Sequence, residues 1–168
     1  MRNMPEFKID PLIVQGLNTN ARLDKFFMAI VDLDQIMNAS ETKEWFLQQK
    51  FKQLGDLSHL NNEELWLRTQ RTVQFNYSVI HRSWWKRWSS VIGYTLDNFK
   101  TKGPDIFTYG DSYDGMSVAG LSSHIGHELL HSIGFSHSYE WNKDRDRSVP
   151  YLLGGYIENE SRKIRSKK

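Results

Sequence analysis

The stretch HELLHSIGFSH, residues 127 to 137, decides how the rest of the chain is read. It ends the longer run MSVAGLSSHIGHELLHSIGF, residues 116 to 135. This run reads as a helix, with Ser117 at its N-cap and Gly134 where helices commonly end through a left-handed residue. Residues four apart on a helix differ by about 40° in direction and about 6 Å along the axis, so His127 and His131 present their rings to one point. That is the geometry of two ligands on one cation. Glu128 leaves the helix at another angle and can approach a water at the metal without ligating, which makes it the candidate general base. Gly134 adopts positive φ without a Cβ penalty, and such a turn brings His137, three residues later, back to the same point. Three histidines supply the three protein ligands usual in a catalytic zinc site. Because they are neutral, they leave the metal's charge to favour ionisation of that water near neutral pH. His124, one turn before His127, is read as a bystander, with ligand substitution, substrate orientation or support of a ligand as its alternatives. His59 and His81 lie far off in sequence and are assigned surface or packing roles.

Composition limits the alternatives. A chain of 168 residues is the size of one ordinary domain and can bury a core without staples. Hydrophobic content of 39% beside 25% charged residues indicates a globular protein. No apolar run approaches the roughly 20 residues that span a bilayer, so no transmembrane segment is expected. The first 20 residues lack the pattern of a secretory leader, which leaves the location unknown: cytoplasmic as written, or secreted if a leader was trimmed or a non-classical route is used. With no cysteine, disulfides, thiolate catalysis and Cys-ligated metals are excluded, and any metal must be held by His, Asp, Glu or Tyr. The net charge of +2 is too small for a dedicated nucleic-acid surface, and nucleic acid is not an expected partner. The terminal SRKIRSKK, residues 161 to 168, concentrates positive charge and reads as a frayed, solubilising tail.

Upstream, ARLDKFFMAIVDLDQIMN, residues 21 to 38, carries Leu23, Phe26, Phe27, Ile30, Leu33, Ile36 and Met37 at helical spacing. A second helix is expected in ETKEWFLQQKFKQLGD, after Ser40 and before Gly55, and a shorter third one in EELWLRT after Asn62. TVQFNYSVI, residues 72 to 80, alternates Val73, Phe75, Tyr77 and Val79 with polar residues, the period of a half-buried strand. SSVIGYTLD, residues 89 to 97, and PDIFTYG, residues 104 to 110, are two further strand candidates. Helices, then strands, then another helix imply an α+β protein with helices packed on a sheet. HRSWWKRWSS, residues 81 to 90, interleaves three tryptophans with basic residues. It reads as a packing corner, with stacking on bases or a membrane interface as the alternative.

The string 127 to 137 resembles the metzincin clan of zinc endopeptidases, whose pattern HExxHxxGxxH is matched by His127, Glu128, His131, Gly134 and His137. With Ser138 it is most similar to the matrixin version. The resemblance implies a zincin-like, twisted mixed sheet with long helices, the active-site helix beneath it and a cleft between two lobes. Residues 1 to 168 would form a single metallopeptidase domain, with an N-terminal lobe to about 134 and a small C-terminal lobe from about 135. The clan also places a methionine turn beneath the metal. Here the methionines are Met1, Met4, Met28, Met37 and Met116, so none follows His137, and SVPY at 148 to 151 is the positional substitute. Val149 or Pro150 would then take the floor position. In some branches of the clan a tyrosine two residues after that methionine ligates zinc or stabilises the transition state. Tyr151 stands two after Val149, and packing against the motif helix is its other reading. Matrixin-type structural metal sites find no clear counterpart, and GDSYDG at 110 to 115 reads as a turn.

The expected function is therefore hydrolysis of peptide bonds in a peptide or protein substrate. One zinc ion is held by His127, His131 and His137, with Glu128 as general base and Tyr151 as a further catalytic candidate. Two other classes stand beside it. One is an inactive or narrow-specificity binding protein on the same scaffold, and the other a zinc amidase acting on a non-protein amide such as a cell-wall peptide.

Overall fold

The computed structural model describes residues 6–52, 55–83, 92–96, 103–138, 140 and 142–167. It is an α+β protein with a four-stranded mixed sheet. The central strand β2 (Thr72–Ile80) is the alternating segment, and it buries Val73, Phe75 and Tyr77. On one side it pairs in parallel with β1 (Lys8–Gln15), and on the other with β4 (Asp105–Tyr109). β3 (Gly93–Leu96) runs antiparallel to β4 at the opposite edge, giving the order β1-β2-β4-β3. β1 is not among the strands expected from the sequence. Proline is compatible with an edge strand because one row of N–H groups there needs no partner, and the register shifts between Pro11 and Ile13.

Helix α1 (Asn20–Met37) is the long amphipathic segment, capped by the Thr19 side chain on the Arg22 amide. Its Phe26 packs on Tyr77 of β2 with ring centroids 4.7 Å apart. α2 (Ser40–Leu47) stops well before the expected Gly55, and the Asn62 side chain donates to the Leu47 and Gln49 carbonyls just beyond its end, at 2.9 and 2.8 Å. α3 (Asn62–Thr69) begins in a capping box, with Asn61 and Glu64 each bonding the other's amide. The 110 to 115 segment forms a short helix, α4 (Gly110–Gly115), and both of its aspartates are ion-paired, Asp111 to Arg82 and Asp114 to Arg22.

The motif helix α5 (Val118–Ser132) begins at Ser117, whose hydroxyl accepts from the Gly120 amide at 3.1 Å, as expected from the sequence. A four-residue helix, α6 (Lys143–Asp146), precedes α7 (Val149–Ser166), which packs on both α5 and α1. α5 crosses its neighbours closely at glycines. A Cβ on Gly126 would lie 2.9 Å from Ile157 Cδ1 and 3.2 Å from Leu33 Cδ1, and one on Gly154 would lie 3.9 Å from His127 Cβ. Val149, Leu153 and Ile157 of α7 belong to the same apolar core as Leu33, Phe75 and Ile125.

One further expectation needs correction. The basic tail is the last turns of α7 through Ser166, and Arg165 pairs with the buried carboxylate of Asp32 on α1. Uncompensated burial of that carboxylate would be costly, so the arginine docks instead of remaining in solvent. The tryptophans of the 81 to 90 segment lie outside the described residues. Arg82 of that segment is buried, donating to Asp111 and Ser112 and stacking over the Tyr109 ring. Among the described residues, no helix is long and apolar enough to cross a membrane.

Candidate metal centre

His127 and His131 sit one turn apart on α5, and the chain reverses immediately after it. The Phe135 amide bonds the Leu130 carbonyl at 3.0 Å, and the Gly134 amide bonds the His131 carbonyl at 3.0 Å. This crossed pair is a Schellman turn, and it requires its left-handed residue at Gly134, where φ is 99°. Arg68 of α3 donates from Nε to the Ile133 carbonyl at 2.8 Å, satisfying one more carbonyl at the helix end and placing positive charge at its negative pole.

The turn returns His137 to the other two histidines. The three Nε2 atoms form a nearly equilateral triangle with edges of 3.1, 3.1 and 3.3 Å. The other side of each ring is engaged by backbone. His131 Nδ1 lies 2.8 Å from the Phe135 carbonyl oxygen, and His137 Nδ1 lies 3.0 Å from that of Ser138. His127 bonds the backbone of Pro150, which offers only a carbonyl. A ring nitrogen facing a carbonyl must carry the proton, so the Nε2 lone pairs of neutral rings point into the triangle. Burial lowers the pKa of all three, His127 to about 2, and holds the rings neutral. Three converging lone pairs repel one another, and a cation relieves that repulsion. Ligands about 2.0–2.1 Å from a tetrahedral ion are separated by about 3.3 Å, so the nitrogen spacing suits a first-row divalent metal such as zinc. The donor set admits a metal without specifying zinc.

Glu128 stands outside the group of converging ligand atoms, as its position on the helix implied. Its side chain is buried beneath β3, where Thr95 donates to Oε2 at 2.6 Å. Tyr151, in the first turn of α7, packs its ring edge-on against His127 and His137 at centroid distances of 4.9 and 4.8 Å. Arg145 donates to its hydroxyl from Nε at 2.5 Å and also from Nη2. The 148 to 151 segment thus lies against the triad, with Val149 fully buried. It is the start of a helix, and proline at the second position is compatible with that first turn because the amide there has no intrahelical partner.

His124 is buried. Its Nε2 is 2.9 Å from Thr108 Oγ1, and its Nδ1 is 3.8 Å from Glu128 Oε1. His59 and His81 are exposed and are not among the converging histidines. The sequence reading passed over Thr95, Thr108 and Arg68. The threonines look like ordinary strand residues, and only the pairing register, which sets Gly93 opposite Thr108, brings both against α5. The chain was compared with protein-family models, curated proteins and solved structures, and none matches.

Proposed function

We propose that this chain is a zinc endopeptidase of the metzincin type, with a zincin-like fold, in which His127, His131 and His137 hold one zinc ion. The observation that carries this reading is the triangle of Nε2 atoms, each ring oriented by a backbone carbonyl on its far side. The clan assignment itself rests on the string 127 to 137, since three converging histidines alone do not define a metzincin. Zinc, when bound, supplies a Lewis acid for the scissile carbonyl and brings the ionisation of a neighbouring water to about pH 7.

The chain's own residues supply the rest. Glu128 takes a proton from the attacking water and delivers it to the leaving amine. Tyr151 accepts from Arg145 and therefore keeps its own hydroxyl proton to donate to the oxyanion. Among the described residues β4 is paired on both sides and β3 on one, so β3 has an edge to offer a substrate. An extended peptide adding to that edge lies beside Glu128, because Thr95 of β3 touches the carboxylate.

Zinc analysis beside cleavage of a denatured protein tests the reading. Stoichiometric zinc is expected in wild type and in Glu128→Ala, and it is lost in His137→Ala. Cleavage falls at least a thousandfold in both variants, and Tyr151→Phe lowers kcat about tenfold at unchanged KM. A fully active Glu128→Ala would remove the general base. Zinc without cleavage of protein, but with cleavage of a cell-wall peptide, would move the substrate to that amide.

A further inference from the structure

A polar chain runs from the sheet to Glu128 through groups that the proposed reaction does not use. Tyr77 of β2 donates its hydroxyl to Thr108 Oγ1 at 2.8 Å, deep in the core. The Thr108 hydroxyl, having accepted there, has its own proton for His124 Nε2, 2.9 Å away. An imidazole that accepts at Nε2 carries its proton on Nδ1 when neutral, and Nδ1 is the nitrogen that faces Glu128 Oε1 at 3.8 Å. The other carboxylate oxygen accepts from Thr95 at 2.6 Å. Tyr77, Thr108 and His124 are all buried, and the backbone of β3 presses on the imidazole. A Cβ on Gly93 would stand 2.8 Å from His124 Nε2 and 2.1 Å from the Phe107 carbonyl oxygen. The ring therefore has little room to turn, and a flipped ring would lose its Thr108 bond.

We propose that His124 is a positioning residue, held by Thr108 and Tyr77 in the Nδ1–H tautomer so that its N–H dipole and the Thr95 hydroxyl fix the orientation of the Glu128 carboxylate from both of its oxygens. This rests on Glu128 being the general base. Its contribution is pre-organisation: a carboxylate held by two donors in a buried site presents one orientation to the attacking water. The interaction at 3.8 Å is longer than a hydrogen bond, so it acts as an oriented dipole that tightens if the carboxylate moves toward the ring.

The tautomer and its consequence are tested on the full chain, zinc-loaded. Long-range nitrogen–proton NMR is expected to place the His124 proton on Nδ1 in wild type, with Thr108→Val losing that preference and Thr108→Ser keeping it. In kinetics, Thr108→Val is expected to lower kcat about tenfold at unchanged KM and zinc content, with recovery in Thr108→Ser and no further loss when added to Glu128→Ala. A proton on Nε2 in wild type overturns the proposal, as does an equal loss of kcat in the presence and absence of Glu128, which marks a general packing defect. If wild type cleaves nothing, the endopeptidase reading fails on its own. The NMR arm then still decides the positioning network, with a Glu128→Gln variant expected to shift the His124 resonances and unchanged resonances overturning it.

Discussion

Single residues at the centre carry their effects through backbone geometry and burial. Gly134 combines φ of 99° with a Schellman turn, and the turn sets where His137 arrives. An alanine there costs about 1–2 kcal/mol in the left-handed region, and its methyl would meet Arg68 Nη2 at 2.8 Å. Gly134→Ala is expected to weaken zinc affinity about tenfold in competition with a chromophoric chelator, more than it lowers stability without metal. His124 gives a pH signature. Burial depresses its pKa below the ordinary histidine value of 6.5, so the unfolded chain takes up a proton that the folded one refuses. The resulting stability is complete above pH 6.5 and declines as pH falls below it, by up to about 1.4 kcal/mol per pH unit from this one group. Urea unfolding between about pH 5 and 7.5 is expected to show a shallower decline on acidification in His124→Asn than in wild type. The convergence of His127, His131 and His137 and the turn at Gly134 are legible in the sequence because their spacing follows from helix geometry. The burial of His124 against Thr108 is not legible there, because that partner comes from a strand and nothing in the motif string announces it.

At the scale of elements, α5 is fixed at both ends by short-range chemistry. Ser117 caps its start, and Arg68, reaching from α3, bonds the carbonyl of Ile133 past its end. Losing that donor leaves a carbonyl at the negative helix pole without its cationic partner, a cost of about 1–2 kcal/mol. Arg68→Ala is expected to lower the urea midpoint accordingly, with Arg68→Lys recovering only part because the planar guanidinium reaches the carbonyl by a fixed geometry. Strands β2, β3 and β4 follow from period-two alternation and flanking turn residues. β1 did not, because Pro11 interrupts a pattern that only an edge position tolerates. α2 is shorter than its pattern predicts for a comparable reason: the apolar residues beyond Leu47 keep a helical spacing while Asn62 draws the Leu47 and Gln49 carbonyls to itself.

Across the whole molecule, the two ends of the fold are tied by a buried charge. Asp32 of α1 is fully buried, accepting from Ser161 at 2.6 Å and from Arg165 Nε at 2.8 Å. Removing Arg165 leaves that carboxylate with one donor from α7, at a cost of about 2–3 kcal/mol after allowance for the partly exposed arginine. Calorimetry on Arg165→Ala is expected to show a melting temperature lower by roughly 5–10 °C, while Lys163→Ala, whose partner Glu160 is on the same exposed helix face, changes it little.

By itself the sequence determined the local objects: an amphipathic α1, an alternating β2 and a capped helix carrying two histidines one turn apart, followed by a glycine and a third. These depend on interactions between residues a few positions apart, and the chain's periodicity records them directly. Only the tertiary structure decided that Pro11 lies in an edge strand, that Arg165 docks on Asp32, and that Thr95, Thr108 and Tyr77 converge with His124 on Glu128. Such contacts join residues up to 133 positions apart through sheet register and helix crossing. Register and crossing angle are set by packing of the whole core, so no local pattern encodes them.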